Sequence, residues 1–260
     1  MQIDGARVLL TGAAGGLGQA IARELKRRGA VLVLSGRNEV GLRTLAGQLG
    51  GAEILVADLA DDDDVERVAA AARNVDVVVA NAGVGTDPPV QDDSAELIDR
   101  SVAINLRAPM VTATAFVQSR LAAKAAGHVV LVGSIASVVA SPGTRLYNAT
   151  KFGLRGFGLS LREELRDSAV GVSIVEPGFI RDAGMFAESG ISLPKGVRTK
   201  SPEQVGDAVC DAIENNRAEV VVAPLEMKAA AKLAAISPQL AAAIQRRARA
   251  QDRVENRTPR

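Results

Sequence analysis

The sequence is poor in the side chains that bind metals or form disulfides. Its 260 residues contain one cysteine, one histidine, one tyrosine and no tryptophan. Cys210 stands alone, so no disulfide can form within the chain, and Cys210 with His128 is too small a set for a zinc site. The formal net charge is +1, which gives no overall field to attract nucleic acid or an acidic membrane. The composition therefore argues against a metalloenzyme, a cysteine protease and a nucleic-acid-binding protein.

Long hydrophobic runs are also missing. No apolar run reaches the roughly 18 residues that would indicate a membrane span, and the first residues lack the charged segment and apolar core of a signal peptide. We therefore expect a cytoplasmic protein without an integral membrane segment. The hydrophobic content of 47% is enough for one large core, so a single domain is the expectation.

Short runs of valine, leucine and isoleucine alternate with helical patterns along the chain. The predicted strands cover residues 7–10, 31–34, 53–57, 75–80, 129–132, 172–175 and 220–223. Helices are predicted up to residue 29, near 39–49, at 61–72, within 92–123, around Tyr147 and near 202–215. Apolar strands separated by helices indicate a parallel sheet covered on both faces. The predicted fold class is α/β, a single doubly wound Rossmann domain with a seven-stranded parallel sheet.

A glycine-rich turn, Thr11–Gly18, joins the first predicted strand to the first helix. Glycines there let the backbone turn tightly and approach a pyrophosphate that faces the helix N-terminus. Gly18 is followed by Gln19 and Ala20, which excludes the nucleoside-triphosphate loop with its lysine and serine or threonine. The turn therefore predicts a dinucleotide site.

The end of the second strand, residues 35–38, has no acidic residue to accept hydrogen bonds from an adenosine ribose. Arg37 offers instead a planar guanidinium suited to a 2′-phosphate, which favours NADP over NAD. The alternative is that Arg37 is an ordinary solvated loop residue.

The only tyrosine, Tyr147, is followed four residues later by Lys151. On a helix this spacing places both side chains on one face. An ammonium at about 4 Å and an effective dielectric of about 20 would lower the phenol pKa by roughly 3 units before desolvation. The pair suggests an acid/base tyrosine, although a tyrosine on an amphipathic helix can also be a plain core residue.

Three further segments each allow a functional and a purely structural interpretation. The acidic run Asp61–Asp64 resembles a cation site but is better explained as the start of a helix. Residues 183–197 combine glycines with apolar side chains and suggest a substrate lid, or else a loop packed on the core.

Residues 226–260 form the third segment, predicted to be a helical extension of a 1–225 domain. Ser237-Pro238 is typical of a helix start. An apolar stripe consists of Leu233, Ile236, Leu240 and Ile244, and six arginines lie between 246 and 260. The stripe could meet a membrane surface or an acidic partner, or pack on its own domain or a second subunit with the basic end as a solvated tail.

The motifs, taken together, resemble those of the short-chain dehydrogenase/reductase family over roughly residues 5–225. Thr11–Gly18 is similar to the family's TGxxxGxG turn, and Asn81-Ala82-Gly83 to its NAG motif. Ser134 precedes Tyr147 by 13 residues, the family's usual separation. The resemblance assigns the catalytic roles to Asn105, Ser134, Tyr147 and Lys151. It assigns cofactor binding to Thr11, Gly12, Gly16, Leu17, Gly18, Arg37, Asp58, Leu59, Asn81, Ala82, Gly83, Tyr147, Lys151, Pro177, Gly178 and Ile180, and it implies no metal.

The resemblance implies an NADP(H)-dependent oxidoreductase that interconverts a carbonyl and an alcohol on an apolar small molecule. Tyr147 would transfer the proton, Ser134 would bind the reacting oxygen, Lys151 would lower the tyrosine pKa and hold the ribose, and Asn105 would anchor a water. One departure concerns Asp182, which stands where the family often has threonine and cannot donate to a carboxamide. Members of the family commonly associate through two long helices, and the predicted helix that carries Tyr147 has small and aromatic residues suited to contact between subunits. The resemblance therefore implies a homodimer or homotetramer. A dinucleotide sensor without activity and an NAD-dependent alcohol dehydrogenase are the rivals.

Overall fold

A seven-stranded parallel sheet, in the order β3-β2-β1-β4-β5-β6-β7, forms the centre of the protein. The structure, a computed structural model, describes residues 1–85, 87–183, 198–237 and 239. The strands are β1 (Arg7–Thr11), β2 (Val31–Gly36), β3 (Glu53–Val56), β4 (Val77–Ala80), β5 (Gly127–Val132), β6 (Val170–Pro177) and β7 (Glu219–Val222). Every neighbouring pair is parallel. The predicted fold class is therefore confirmed.

Helices cover both faces of the sheet. They are α1 (Gly16–Arg27), α2 (Glu39–Gln48), α3 (Asp62–Ala72), α4 (Ala95–Val102), α5 (Ala108–Ala122), α6 (Arg145–Glu164), α7 (Pro202–Asn215) and α8 (Leu225–Ile236). One apolar core lies between the sheet and α1, α2 and α7, and the other between the sheet and α3, α5 and α6. Valines of the central strands are fully buried because helices exclude water from both faces of the sheet.

The predicted helical stretch at 92–123 is interrupted. A 3₁₀ turn at Val90–Asp92 precedes α4, and a π-helical turn, Ala103–Arg107, separates α4 from α5. Pro109 has no N–H to offer the carbonyl four residues earlier, at Asn105, which explains why the helical register changes here. Such turns are common at functional sites.

The C-terminal segment differs from the prediction. Helix α8 coincides with the start of the helical extension predicted at 226–260, but it ends at Ile236. Ala231 and Ala234 are buried, whereas Ile236 of the predicted apolar stripe is 84% exposed. Ser237 follows the end of α8. Apart from residue 239, the predicted helix beyond Pro238 lies outside the described residues, as does most of the predicted lid at 183–197. The division at 225/226 stays a prediction.

The acidic run Asp61–Asp64 forms the N-terminal cap and first turn of α3. The Asp61 carboxylate accepts a hydrogen bond from the Asp64 N–H at 3.0 Å, and Asp62, Asp63 and Asp64 occupy the first turn of α3. Within the described ranges no group of three or more His, Cys, Asp or Glu side chains could hold a metal ion. None of the helices described there is long and apolar enough to cross a membrane.

His128 gives the fold a specific sensitivity to acid. Its ring nitrogen lies 2.8 Å from Ser173 Oγ inside the sheet, and burial lowers its pKa from 6.5 to about 3. In the unfolded chain His128 takes up a proton as the pH falls through 6.5, whereas in the folded chain it stays neutral until about pH 3. Acidification below pH 6.5 therefore lowers the free energy of unfolding. We expect His128 to remove about 2 kcal/mol of unfolding free energy between pH 7 and pH 5.

Urea unfolding of the wild type and of His128→Asn at these two pH values checks this prediction. The variant should lose less stability on acidification by that amount. Equal losses in both proteins would contradict it.

Candidate active site

The candidate site residues lie at the carboxyl ends of the central strands. Gly12 follows β1, Asn81 follows β4, Ser134 lies just beyond β5, and Pro177 ends β6. The chain builds the sheet outward from β1 to β3 and then returns to place β4 on the other side of β1. In doubly wound sheets, ligands bind in the crevice at this reversal.

The turn between β1 and α1 needs its glycines. Gly12 has φ +65°, and a Cβ there would lie 2.8 Å from the Ala82 Cα. A Cβ at Gly18 would lie 2.1 Å from the Gly12 carbonyl oxygen. Gly16 and Leu17 open α1, whose N-terminus receives no side-chain cap, whereas Asn38 and Asp61 cap α2 and α3. The turn thus fits a pyrophosphate, which could accept hydrogen bonds from the exposed N-terminus.

The side chains of Thr11 and Asn81 stabilise this turn by hydrogen bonds to the backbone. The Thr11 hydroxyl oxygen accepts hydrogen bonds from the N–H groups of Asn81 and Ala82, both at 3.1 Å. The Asn81 amide donates to the carbonyls of Thr11 and Gly12 at 3.1 and 3.2 Å. These two side chains therefore hold the glycine turn against the loop after β4.

The adenosine end of the predicted cofactor site is open. Arg37 is exposed, and no hydrogen bond or ion pair joins its guanidinium to another residue in the described part of the chain. The Asp58 carboxylate accepts from the Ala60 N–H at 3.1 Å, and Leu59 is 9% exposed. The Asn38 side-chain oxygen, next to Arg37 in sequence, accepts a hydrogen bond from the Gly41 N–H at 3.1 Å and caps α2.

Tyr147 lies in the first turn of α6, with its phenol next to the Ser134 side chain. Burial raises the phenol pKa, and the Ser134 hydrogen bond offsets part of that rise. The expectation that Lys151 would bring this pKa towards neutrality is wrong for the chain alone. The Lys151 Nζ is 5.7 Å from the Tyr147 ring centroid, and desolvation of the phenol outweighs its influence.

Lys151 is buried behind the tyrosine, at 3% exposure. Its Nζ donates a hydrogen bond to the Val132 carbonyl at 3.0 Å. Burial lowers its pKa to about 8, so the ammonium form still predominates at neutral pH. A Cβ on Gly83 would lie 3.7 Å from this nitrogen and 3.2 Å from the Asn105 Oδ1, so a side chain there would press on the Asn105 amide.

Ser134 caps the 3₁₀ turn Ile135–Ser137 (called here the serine turn). Its hydroxyl oxygen accepts a hydrogen bond from the Ala136 N–H at 3.1 Å and lies 3.5 Å from the Pro177 carbonyl. The serine side chain is thus fixed by its own turn and faces both the tyrosine and the end of β6.

Asn105, in the π-helical turn, is 1% exposed. Its Oδ1 accepts from the Val84 N–H and its Nδ2 donates to the Val84 carbonyl, both at 2.8 Å. Nδ2 also lies 3.3 Å from the Thr150 hydroxyl, which donates to the Tyr147 carbonyl at 2.9 Å. The side chain therefore joins the loop after β4 to the tyrosine helix.

Residues that the sequence reasoning missed hold the first turn of α6. The Asp87 carboxylate accepts from the Leu146 N–H at 2.6 Å. Arg145 donates to the Asp93 carboxylate at 2.8 Å and to the Pro88 carbonyl at 2.9 Å. The sequence gives no local signal for these contacts, because the partners are more than fifty residues apart.

The segment after β6 runs from Pro177-Gly178 into a short bridge with Lys200. Ile180 is 3% exposed and pairs with Lys200 as an isolated parallel bridge. Asp182 has φ +65°, its side chain is 75% exposed, and it lies 3.3 Å from Arg181. Ile180 thus anchors the segment in the core, while Asp182 belongs to its exposed end.

Known proteins share this arrangement. The family model described as short chain dehydrogenase matches residues 6–192. The 3-oxoacyl-(acyl-carrier-protein) reductase FabG of Rickettsia typhi is 33% identical over 182 residues, covering 70% of this chain and 75% of that protein.

Solved structures agree. A short chain dehydrogenase/reductase family protein with 28% identity has a TM-score of 0.78 and covers 85% of this chain and 97% of its own. The short-chain dehydrogenase from Sphingobium yanoikuyae in complex with NADPH has 25% identity, a TM-score of 0.76, and covers 98% of this chain and 97% of its own. Because the family model covers more than half of the chain and the fold agrees throughout, this protein belongs to the short-chain dehydrogenase/reductases, a family of nicotinamide-dinucleotide-dependent oxidoreductases.

Proposed function

We propose that this protein is an NADP(H)-dependent reductase that converts the carbonyl of an apolar small molecule into an alcohol, with Tyr147 as the acid. The observation that carries the proposal is the position of the Ser134 side chain next to the Tyr147 phenol at the crevice, with the Lys151 Nζ 5.7 Å from the centroid of the Tyr147 ring. A protein that only binds a dinucleotide has no need of a serine, a tyrosine and a lysine in this arrangement. The bound cofactor supplies the hydride, and the protein binds, orients and moves one proton.

Tyr147 and Ser134 would act on the same substrate oxygen. In the chain alone burial keeps the phenol in its neutral form, which is the form that can donate a proton. The Ser134 hydroxyl, held by its turn, would donate a second hydrogen bond to that oxygen and stabilise the charge that develops on it.

Lys151 would serve as the positive charge beside the phenol. Its Nζ has one described acceptor, the Val132 carbonyl, and an ammonium can donate three hydrogen bonds. The remaining donors suit ribose hydroxyls. When the phenol has given up its proton, the buried ammonium would stabilise the phenolate until a proton returns from solvent.

Asn105 would hold the water at the end of this proton path. Its side-chain groups are already used by Val84 and Thr150, so the backbone carbonyl is the group that remains. Pro109 cannot donate to that carbonyl, because proline has no N–H. The carbonyl would thus lack its usual α-helical donor, and we assign the water to it.

The substrate class is supported by the relatives and by the side chains beside Ser134. The Rickettsia typhi protein is a 3-oxoacyl reductase. Ile135 and Val84, which flank Ser134 and Asn105, are both partly exposed and apolar. A 3-oxoacyl thioester or a related ketone fits this surface, in the cytoplasm where we place the protein.

The first test is reduction of a panel of 3-oxoacyl thioesters, ketones and aldehydes by the purified chain, followed through NADPH consumption. Tyr147→Phe should lower turnover by about 10²–10⁴-fold because the proton donor is lost. NADPH affinity, measured by nicotinamide fluorescence, should stay nearly unchanged. Undiminished turnover in the variant would refute the assignment of Tyr147, and a wild type inactive on the whole panel would favour the sensor.

The second test concerns the choice of cofactor. A charge-assisted contact between Arg37 and a 2′-phosphate contributes about 1.5–3 kcal/mol, or roughly 10- to 100-fold in affinity. We expect tighter binding of NADPH than of NADH, and a loss of most of that ratio in Arg37→Ala. Arg43→Ala is the matched control, since it removes the same charge from α2 nearby. A ratio that is unchanged in Arg37→Ala, or lowered equally in Arg43→Ala, would refute the role of Arg37.

The third test concerns assembly through α6. Phe152 is 45% exposed, Gly156 has open space beside it, and Ser160 continues the same face. A second subunit could pack its own α6 closely here because the small residues permit near contact. We expect a homodimer or homotetramer by light scattering and a smaller particle for Phe152→Asp. Val40→Asp, at a site that is 75% exposed on α2, is the control and should leave the mass unchanged. A monomeric wild type at micromolar concentration would contradict the assignment.

A further inference from the structure

A buried carboxylate lies beside the site without a part in the proton path. Glu176, next to the end of β6, is 3% exposed. Its Oε1 accepts a hydrogen bond from the hydroxyl of Ser137, which is itself 1% exposed, and the Arg155 Nε is 3.6 Å away. The Arg155 guanidinium donates its shorter hydrogen bonds to the Glu219 carboxylate of β7, at 2.6 and 3.1 Å.

Such a carboxylate is costly to bury. Desolvation raises the Glu176 pKa, the Ser137 hydrogen bond opposes that rise, and the Glu219 charge adds to it. Buried charged groups stabilise a fold poorly compared with apolar residues of similar size. The cost therefore calls for a role other than stability.

The position of the pair suggests that role. Ser137 is the last residue of the serine turn, and Ser134 caps its first. Glu176 immediately precedes Pro177, whose carbonyl lies 3.5 Å from the Ser134 hydroxyl. The Ser137–Glu176 hydrogen bond therefore ties the far end of the serine turn to the strand end that Ser134 faces.

We propose that Ser137 and Glu176 are positioning residues that hold the Ser134 hydroxyl against Tyr147 by fixing the serine turn to the end of β6. The inference rests on the proposed function of Ser134. A shift of about 1 Å at such a group can cost roughly 100-fold in rate, so one hydrogen bond at the base of the turn is enough to matter.

The composition of the chain allows the Ser134–Tyr147 contact to be read directly. Tyr147 is the only tyrosine, and there is no tryptophan, so the near-ultraviolet absorbance of tyrosinate reports this one side chain. We expect Ser134→Ala to raise the apparent pKa of Tyr147, because the hydrogen bond that lowers it is lost. Ser137→Ala should change the pKa in the same direction, and the double variant should titrate like Ser134→Ala. This measurement needs no substrate.

Turnover gives the second readout. We expect Ser137→Ala to lower kcat by about tenfold with little change in NADPH affinity, and to have no further effect once Ser134→Ala is present. Glu176→Gln, which keeps an acceptor for Ser137, should retain most activity, and Glu176→Ala should resemble Ser137→Ala.

Ser173→Ala is the matched control. Ser173 is a fully buried serine on β6, three residues before Glu176. Its hydroxyl contacts the His128 ring and donates to the Arg217 carbonyl. Its loss should lower stability while leaving both the Tyr147 titration and kcat unchanged. The proposal is overturned if Ser137→Ala leaves the Tyr147 pKa at the wild-type value, or if the effects of Ser134→Ala and Ser137→Ala on that pKa add. An inactive wild type with the expected titrations would remove the proposed function but not the positioning role.

Discussion

The constraint on which the site depends is the desolvation of the half-buried Tyr147 phenol and of the buried Lys151 ammonium, which lie on the same face of α6. Loss of water raises the pKa of Tyr147 and lowers that of Lys151 to about 8, so both changes favour uncharged forms. At neutral pH the phenol is therefore fully protonated and able to donate, while the lysine still carries its charge for most of the time. The same burial makes a phenolate costly, so the surroundings must stabilise it or return its proton quickly. Ser134 and Lys151 are the described groups that can do so.

The topology of the sheet brings these surroundings together. Because β4, β5 and β6 are adjacent and parallel, the loops after them emerge side by side. Asn105 joins the first loop to α6 through Val84 and Thr150, and Ser134 joins the second to the end of β6. Each of these hydrogen bonds links segments far apart in sequence. The position of the phenol is thus set by several loops at once and not by α6 alone.

The strands, the glycine turn and the Tyr147–Lys151 spacing could be predicted because each is a local pattern of residues. The lysine's effect on the tyrosine could not, since burial decides its size and the sequence does not give burial. The extension at 226–260 was predicted to be helical, but the buried face of α8 was not, because its alanines give little contrast between its faces. The Arg145–Asp93 and Ser137–Glu176 contacts span 52 and 39 residues, so no periodicity indicates them. The π-helical turn had a visible cause in Pro109, but its consequence for the helical register needed the structure.

The cofactor side and the catalytic side differ in how far they are ordered in advance. Ser134 and Lys151 are held by the Ala136 N–H and the Val132 carbonyl, so binding a substrate costs them little conformational entropy. Arg37 is exposed and must be ordered when it binds a phosphate, at up to about 2 kcal/mol of side-chain entropy. That cost offsets much of the roughly 1.5–3 kcal/mol that a charge-assisted contact contributes. If Arg37 binds the 2′-phosphate as proposed, its lack of a supporting partner among the described residues implies a preference for NADP near the lower end, about tenfold. A larger preference would require a second group to orient the guanidinium, and Asn38, the nearest polar side chain in sequence, already caps α2.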